Sequence, residues 1–143
     1  MRDMDFSVWT RIGGEPTRLT VGARNRIREY VTLNRGTVGG GAETVIGDDN
    51  LLMAYVHIAH NCHIHDNTVL ANAVNLAGHV EVEKNAIIGG MTPVHQFVRI
   101  GAFSFIGGGS RLPQDVPPFI KVAGNPVEVA GVNSIRLKRN VFA

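Results

Sequence analysis

Six histidines fall in 143 residues, and four of them, His57, His60, His63 and His65, lie within nine positions. Imidazole titrates near neutrality, so such a cluster suits proton transfer, and it equally suits zinc, for which neutral imidazole is a good ligand. His79 and His95 follow at wider intervals, with Gly78 beside one and Gln96 beside the other. His60, Gly78 and Gln96 are spaced eighteen residues apart. An imidazole, a backbone N–H and an amide are the parts needed to activate a hydroxyl and to hold the oxyanion it creates. They can act together only if the fold stacks residues eighteen apart.

A repeat of six supplies that stacking. Every sixth residue from Ile46 is aliphatic: Leu52, Ile58, Ile64, Leu70, Leu76, Val82, Ile88, Val94, Ile100, Ile106 and Leu112. Four residues after each stands a small or β-branched residue in most hexads, including Val56, Cys62, Thr68, Val74, Val80, Ser104 and Val116. Gly or Ala often follows the aliphatic position directly, as at Gly47, Ala59, Gly89 and Gly101. An earlier tract, Val21, Ile27 and Leu33, keeps the period one residue out of phase, and Gly39-Gly40-Gly41 is the natural loop to reset it. Period six fits neither a helix nor simple alternation. It predicts an all-β fold, a parallel β-helix with three short strands per coil, in which each aliphatic residue stacks roughly 4.8 Å above its equivalent one coil earlier. Glycine is expected to take corners that need positive φ.

The length fits one domain, 1–143, divided into a cap segment 1–18 carrying Phe6, Val8, Trp9 and Ile12, coils 19–125, and a basic tail 126–143. The tail is expected to begin a short helix with Asn133 or Ser134 as N-cap. After Pro117-Pro118 the repeat is expected to fade through a turn at Ala123–Pro126. One cysteine, Cys62, excludes an internal disulfide framework and favours a reducing compartment, so the expected location is cytoplasmic. No run of 18 apolar residues is present to span a membrane, and no secretory signal opens the chain. The net charge of +2 is spread rather than gathered in one patch, which argues against a nucleic-acid partner.

The stretches His57–Cys62, Leu76–Val80 and Ile88–Phe97, in that order, resemble one family closely. It is the bacterial UDP-N-acetylglucosamine acyltransferases that open lipid A biosynthesis. Gly14–Arg18, Asn25–Arg28, Asn34–Thr37 and Gln114–Pro118 extend the resemblance over roughly residues 14–139. It implies a left-handed β-helix and a homotrimer with sites in the clefts between subunits. It implies transfer of a 3-hydroxyacyl chain from acyl carrier protein to the glucosamine 3-hydroxyl of UDP-N-acetylglucosamine. By the same resemblance His60 is the general base and Gly78 the oxyanion donor. His57, His79, His95 and Gln96 position the substrates, Asn133 and Arg139 contact the nucleotide, and Gly108 leaves the acyl groove long. No metal or bound cofactor is implied; the acyl thioester arrives on a phosphopantetheine arm. The chain departs from the pattern at Asn61, where a carboxylate is usual after the base; Asn61 is counted with the catalytic residues, its amide oxygen expected to orient the His60 ring without stabilising an imidazolium by charge. It departs also at Trp9, in place of a nucleotide-contacting acid, and at Ile135 and Asn140. Several coils before Gly14 and a helical domain after Arg139, usual in the family, are not in this sequence.

Three other functions are open to a hexapeptide-repeat chain of this kind: a trimeric scaffold without catalysis, an acetyl-CoA-dependent acetyltransferase, and a zinc hydratase of the γ-carbonic anhydrase type. His60 and His65 have the five-residue spacing of that zinc class. Its third ligand lies two coils upstream, where this chain has Arg24, a cation.

Overall fold

The structure, a computed structural model, describes residues 16–141. The expected cap segment, with Trp9, lies mainly outside them. The first coil contains β1 (Arg18–Val21), β2 (Arg26–Ile27) and β3 (Thr32–Leu33), followed by a short turn of helix at Val38–Gly40. The second holds β4 (Glu43–Ile46), β5 (Leu51–Leu52) and β6 (His57–Ile58). The third holds β7 (His63–Ile64), β8 (Val69–Leu70) and β9 (Asn75–Leu76), and the fourth β10 (Glu81–Val82), β11 (Ile87–Ile88) and β12 (Pro93–Val94). β13 (Arg99–Ile100), β14 (Phe105–Ile106), β15 (Ile120–Ala123), β16 (Glu128–Val132) and the helix α1 (Ser134–Val141) complete the chain. The coils form a left-handed parallel β-helix with three faces. The first face runs β1-β4-β7-β10-β13, the second from β2 through β5, β8, β11, β14 and β15 to β16, and the third β3-β6-β9-β12.

Each hexad sends two side chains inward. The aliphatic column is buried throughout the central coils: Leu52, Ile58, Ile64, Leu70, Leu76 and Ile88 have no exposed surface. The residue four positions later is inward too, as Val56, Cys62, Thr68, Val74 and Val80 show. Leu70 pairs in register with Leu52 below and Ile88 above. Leu70→Ala is therefore expected to destabilise by about 2–5 kcal/mol, since rigid coils on both sides cannot collapse into the cavity. Chemical denaturation measures this; a loss under about 1 kcal/mol would show that the column is not close-packed.

Glycine serves fewer corners than expected: Gly109 takes one at φ 70°, but the corners before it do not use glycine. From Asp49 to Phe103, every sixth residue has φ between 57° and 65°, and none of these ten is glycine. They include Asn61, Asn67 and Asn85, the type that tolerates this region best, but also Tyr55, His79 and Phe97. A backbone hydrogen bond to the coil before holds most of them: Asn67 N–H to Asp48 O, His79 N–H to His60 O, Phe97 N–H to Gly78 O. The glycines after the aliphatic positions answer a different demand, close approach between coils. A methyl group at Gly89 would strike the backbone of Gly108, and one at Gly101 would lie 2.7 Å from Pro118 Cδ.

The register shifts twice. Val21 pairs with Ile46, twenty-five residues on, so the first coil carries seven extra residues, which the Asn34–Ala42 loop accommodates where the sequence placed its reset. At the other end Ile100 bridges Val116 and Ile106 pairs with Val122, each sixteen apart. Val116 thus takes the aliphatic place in the ladder rather than the small corner slot. The repeat continues past Pro118, two residues short, through β15, and ends at a turn over residues 124–127, where the sequence placed one. β16 folds back antiparallel on β15 and closes the end of the second face. Asn133 N-caps α1 by position, as expected, its carbonyl accepting the Leu137 N–H at 2.9 Å.

Candidate functional site

The corner between the third and first faces gathers the candidate chemistry. His60 and Asn61 follow β6, Gly78 and His79 follow β9, and His95, Gln96 and Phe97 follow β12. Because His57 pairs with Asn75 and Asn75 with Pro93, the three corners are laid one directly over another. The His60 ring lies against Gly78: a methyl group there would sit 2.7 Å from His60 Cε1 and 2.9 Å from Nε2. The ladder bonds on either side of Gly78 are made, Ala77 N–H to Val94 O at 3.1 Å and His79 N–H to His60 O at 3.1 Å. Between them the Gly78 N–H donates to no group among the described residues. The His79 ring meets His60 edge-on at 5.2 Å and stacks on Phe97 at 4.6 Å. Phe97, His95 and Gln96 are exposed, so this side of the corner is open to a ligand.

The reset loop closes the other side. Asn61 Oδ1 accepts the Thr37 N–H at 3.0 Å and the Thr37 hydroxyl at 2.7 Å, and lies 2.8 Å from His60 Nδ1. Asn61 Nδ2 donates to Thr37 O at 3.1 Å, and the Asn61 N–H to Thr44 Oγ1 at 2.8 Å. Gly40 packs so closely that a methyl group would lie 2.6 Å from Asn61 Cγ and would strike His79 Cε1. Sequence reading took Thr37 only as the end of a resembling stretch, with no role, and did not pick out Thr44; the glycine-rich interruption beside a corner was the available signal.

His57, three residues before His60, lies on the outer side of β6 with Nδ1 2.6 Å from Thr32 Oγ1. Burial holds its pKa below the ordinary histidine value of 6.5. The fold thus favours the neutral ring, and the unfolded chain takes up this proton first as pH falls. Stability should accordingly drop on acidification below 6.5. His57→Gln should flatten that part of a urea-midpoint-against-pH curve; an unaltered curve would mean His57 does not contribute. Burial also pushes the Cys62 thiol up to about 11, and Sγ donates to Ala77 O at 3.1 Å, which suits a packing residue and not a nucleophile.

The remaining candidates sit elsewhere on the same chain. Gly108 is at the corner between the second and third faces. Asn133 is at the corner between the first and second, its Nδ2 donating to Phe103 O at 3.0 Å. Arg139 is exposed on α1, and Arg136 anchors that helix by donating to Asn85 O at 3.2 Å. Within one chain the residues implied by resemblance are therefore spread over three different corners, with His57 on β6 and Arg139 on α1. The outer side of the second face is an apolar stripe, Leu51, Val69, Ile87 and Phe105 in register. Reading every eighteenth residue would have found it, since the matching positions on the first face are His63, Glu81 and Arg99. There His65 pairs with Glu81 at 3.0 Å, and His63 stacks on His65 at 4.6 Å. Among the described residues no three histidine, cysteine or carboxylate side chains converge as a metal site would require.

A family model described as bacterial transferase hexapeptide (six repeats) matches residues 43–78, and one described as Udp N-acetylglucosamine O-acyltransferase, domain 2, matches residues 115–143. An acyl-[acyl-carrier-protein]–UDP-N-acetylglucosamine O-acyltransferase of Verminephrobacter eiseniae is 57% identical over 132 residues, 92% of this chain and 50% of that protein. The chain belongs to the UDP-N-acetylglucosamine O-acyltransferase family. A protein of the same name from Nautilia profundicola is 56% identical over 88% of the chain and 49% of its own length. The solved UDP-N-acetylglucosamine O-acyltransferase of Moraxella catarrhalis superposes with a TM-score of 0.87 at 45% identity, covering 91% of this chain and 51% of that one. The Francisella novicida enzyme does so with a TM-score of 0.88 at 36% identity, covering 95% and 50%. The chain spans about half the length of the curated acyltransferases it matches. Among the described residues no helix is long and apolar enough to cross a membrane.

Proposed function

We propose that the chain transfers a 3-hydroxyacyl group from acyl carrier protein to the 3-hydroxyl of UDP-N-acetylglucosamine, the first step of lipid A biosynthesis, in the cytoplasm. The observation that carries this reading is the His60 imidazole lying over Gly78, whose N–H has no partner among the described residues. A sugar hydroxyl is a poor nucleophile at neutral pH. His60 Nε2 takes its proton as the oxygen bonds to the thioester carbonyl carbon. The negative charge that moves to the carbonyl oxygen is met by the Gly78 N–H. Collapse of the tetrahedral intermediate breaks the C–S bond, and the imidazolium returns the proton to the departing phosphopantetheine thiol. No metal or bound cofactor enters these steps.

Substrate positioning falls to His57, His79, His95 and Gln96 around this corner. The nucleotide goes to Asn133, at another corner of the same chain, and to Arg139 on α1, so a complete site needs a second copy beside the first. A homotrimer meets that need, and the apolar stripe Leu51, Val69, Ile87 and Phe105 gives a hydrocarbon chain a surface leading toward Gly108. Arg136, Lys138 and Arg139 offer charge to the diphosphate or to the acidic carrier protein. The test is incubation of the purified protein with UDP-N-acetylglucosamine and a panel of 3-hydroxyacyl carrier proteins and acetyl-CoA, read by mass spectrometry. Product bearing one 3-hydroxyacyl group supports the reading. Turnover of acetyl-CoA alone, or no binding of UDP-N-acetylglucosamine by calorimetry, overturns it.

A further inference from the structure

The seven residues by which the first coil exceeds the others bring Thr37 onto the corner of the coil above, where it touches Asn61 three times. A backbone N–H can only donate and a carbonyl can only accept. Thr37 N–H therefore selects the amide oxygen of Asn61, and Thr37 O selects the amide nitrogen, so the side chain cannot be turned over without losing both bonds. Once Asn61 Oδ1 is committed in this way, the nitrogen 2.8 Å from it, His60 Nδ1, has to be the donor. A neutral imidazole carries one proton. With that proton on Nδ1, Nε2 is left with its lone pair, and Nε2 is the atom near Gly78.

We propose that Thr37 is a positioning residue, which through the Asn61 amide locks His60 in the tautomer whose Nε2 can accept a proton. Asn61 is 9% exposed, so little water reaches its oxygen to compete for these bonds. The Asn61 N–H is held by Thr44, and the packing of Gly40 against Asn61 and His79 leaves the loop no slack. An amide fixed from both ends thus does by geometry what a carboxylate at this position does by charge. Among titratable groups, His79 meets the ring edge-on at 5.2 Å, and Arg35, 5% exposed, holds the equivalent place in the coil below, following Leu33 by two residues as His60 follows Ile58.

The proposal rests on the acyl-transfer reading for its kinetic consequences alone, because the tautomer is legible without turnover. Long-range proton–nitrogen correlation on the full-length labelled protein, assigned with His60→Ala, is expected to show His60 protonated at Nδ1 and bare at Nε2. Thr37→Pro, which removes the N–H that selects the amide oxygen, should give a mixed tautomer population, whereas Thr37→Val, which loses only the hydroxyl and keeps both backbone bonds, should keep the single one. In turnover Thr37→Pro should lower kcat by about tenfold at unchanged KM, the worth of one hydrogen bond expressed in the barrier, and Thr37→Val should not. In Asn61→Asp the new charge beside Nδ1 favours the imidazolium, so the rising limb of kcat/KM should move to higher pH. A wild-type ring protonated at Nε2, or a ring indifferent to Thr37→Pro, overturns the proposal. A ring protonated at Nδ1 in a protein that transfers no acyl group supports the role of Thr37 and counts against acyl transfer.

Discussion

His60→Ala is expected to cut kcat/KM for acyl transfer by about 10²–10⁴-fold, the range lost when a positioned base is removed. The ring belongs to the corner and not to the column of Ile58 and Leu76, so its loss opens no cavity among fully buried residues. Asn61 keeps its bonds to Thr37 and Thr44, so the corner retains its shape. The Gly78 N–H also remains, which leaves oxyanion stabilisation in place and sets the residual rate above that of the uncatalysed reaction. Circular dichroism and the denaturation midpoint should match the parent. A variant that is folded and retains more than about a tenth of the parent kcat/KM would remove His60 from the mechanism.

The second large effect comes from the smallest change. Gly78→Ala places a methyl group 2.7 Å from His60 Cε1 and 2.9 Å from Nε2, inside van der Waals contact. The obstacle is a ring on a rotatable side chain and not backbone, so the ring yields and the coil does not. Stability should fall by less than about 1 kcal/mol, whereas a base displaced by about 1 Å costs on the order of 10²-fold in rate. A double variant separates the causes. If the methyl acts by pushing the ring, Gly78→Ala adds little to His60→Ala; if the two losses multiply, it acts elsewhere. Equal activity of Gly78→Ala and parent would show that the imidazole does not rest on this glycine in solution.

Much of this architecture was legible in one dimension because the repeat and the coil share a length. Eighteen residues make one turn in the central coils, so the order His60, Gly78, Gln96 became a vertical order, and the aliphatic column named its own partners. Where the count changed, legibility stopped. The two residues missing between Leu112 and Val116 hid β15, and exposed Val129 and Val132 gave no sign that β16 folds back on it. The corners misled for another reason. Positive φ is demanded by the turn itself and held by hydrogen bonds to the coil below, and those bonds let His79 and Phe97 occupy places that local preference reserves for glycine.

Sequence alone established the β-helix, its interior column, and the alignment of an imidazole with a glycine one coil away, since these follow from a strict period acting on side-chain size. Tertiary structure alone settled what surrounds that imidazole. The bonds among Thr37, Asn61 and His60 join residues twenty-four positions apart across an irregular loop, and no period encodes a contact made by the segment that breaks it. The same is true of the placement of Asn133 at another corner, which depends on where a shortened coil lets the chain return.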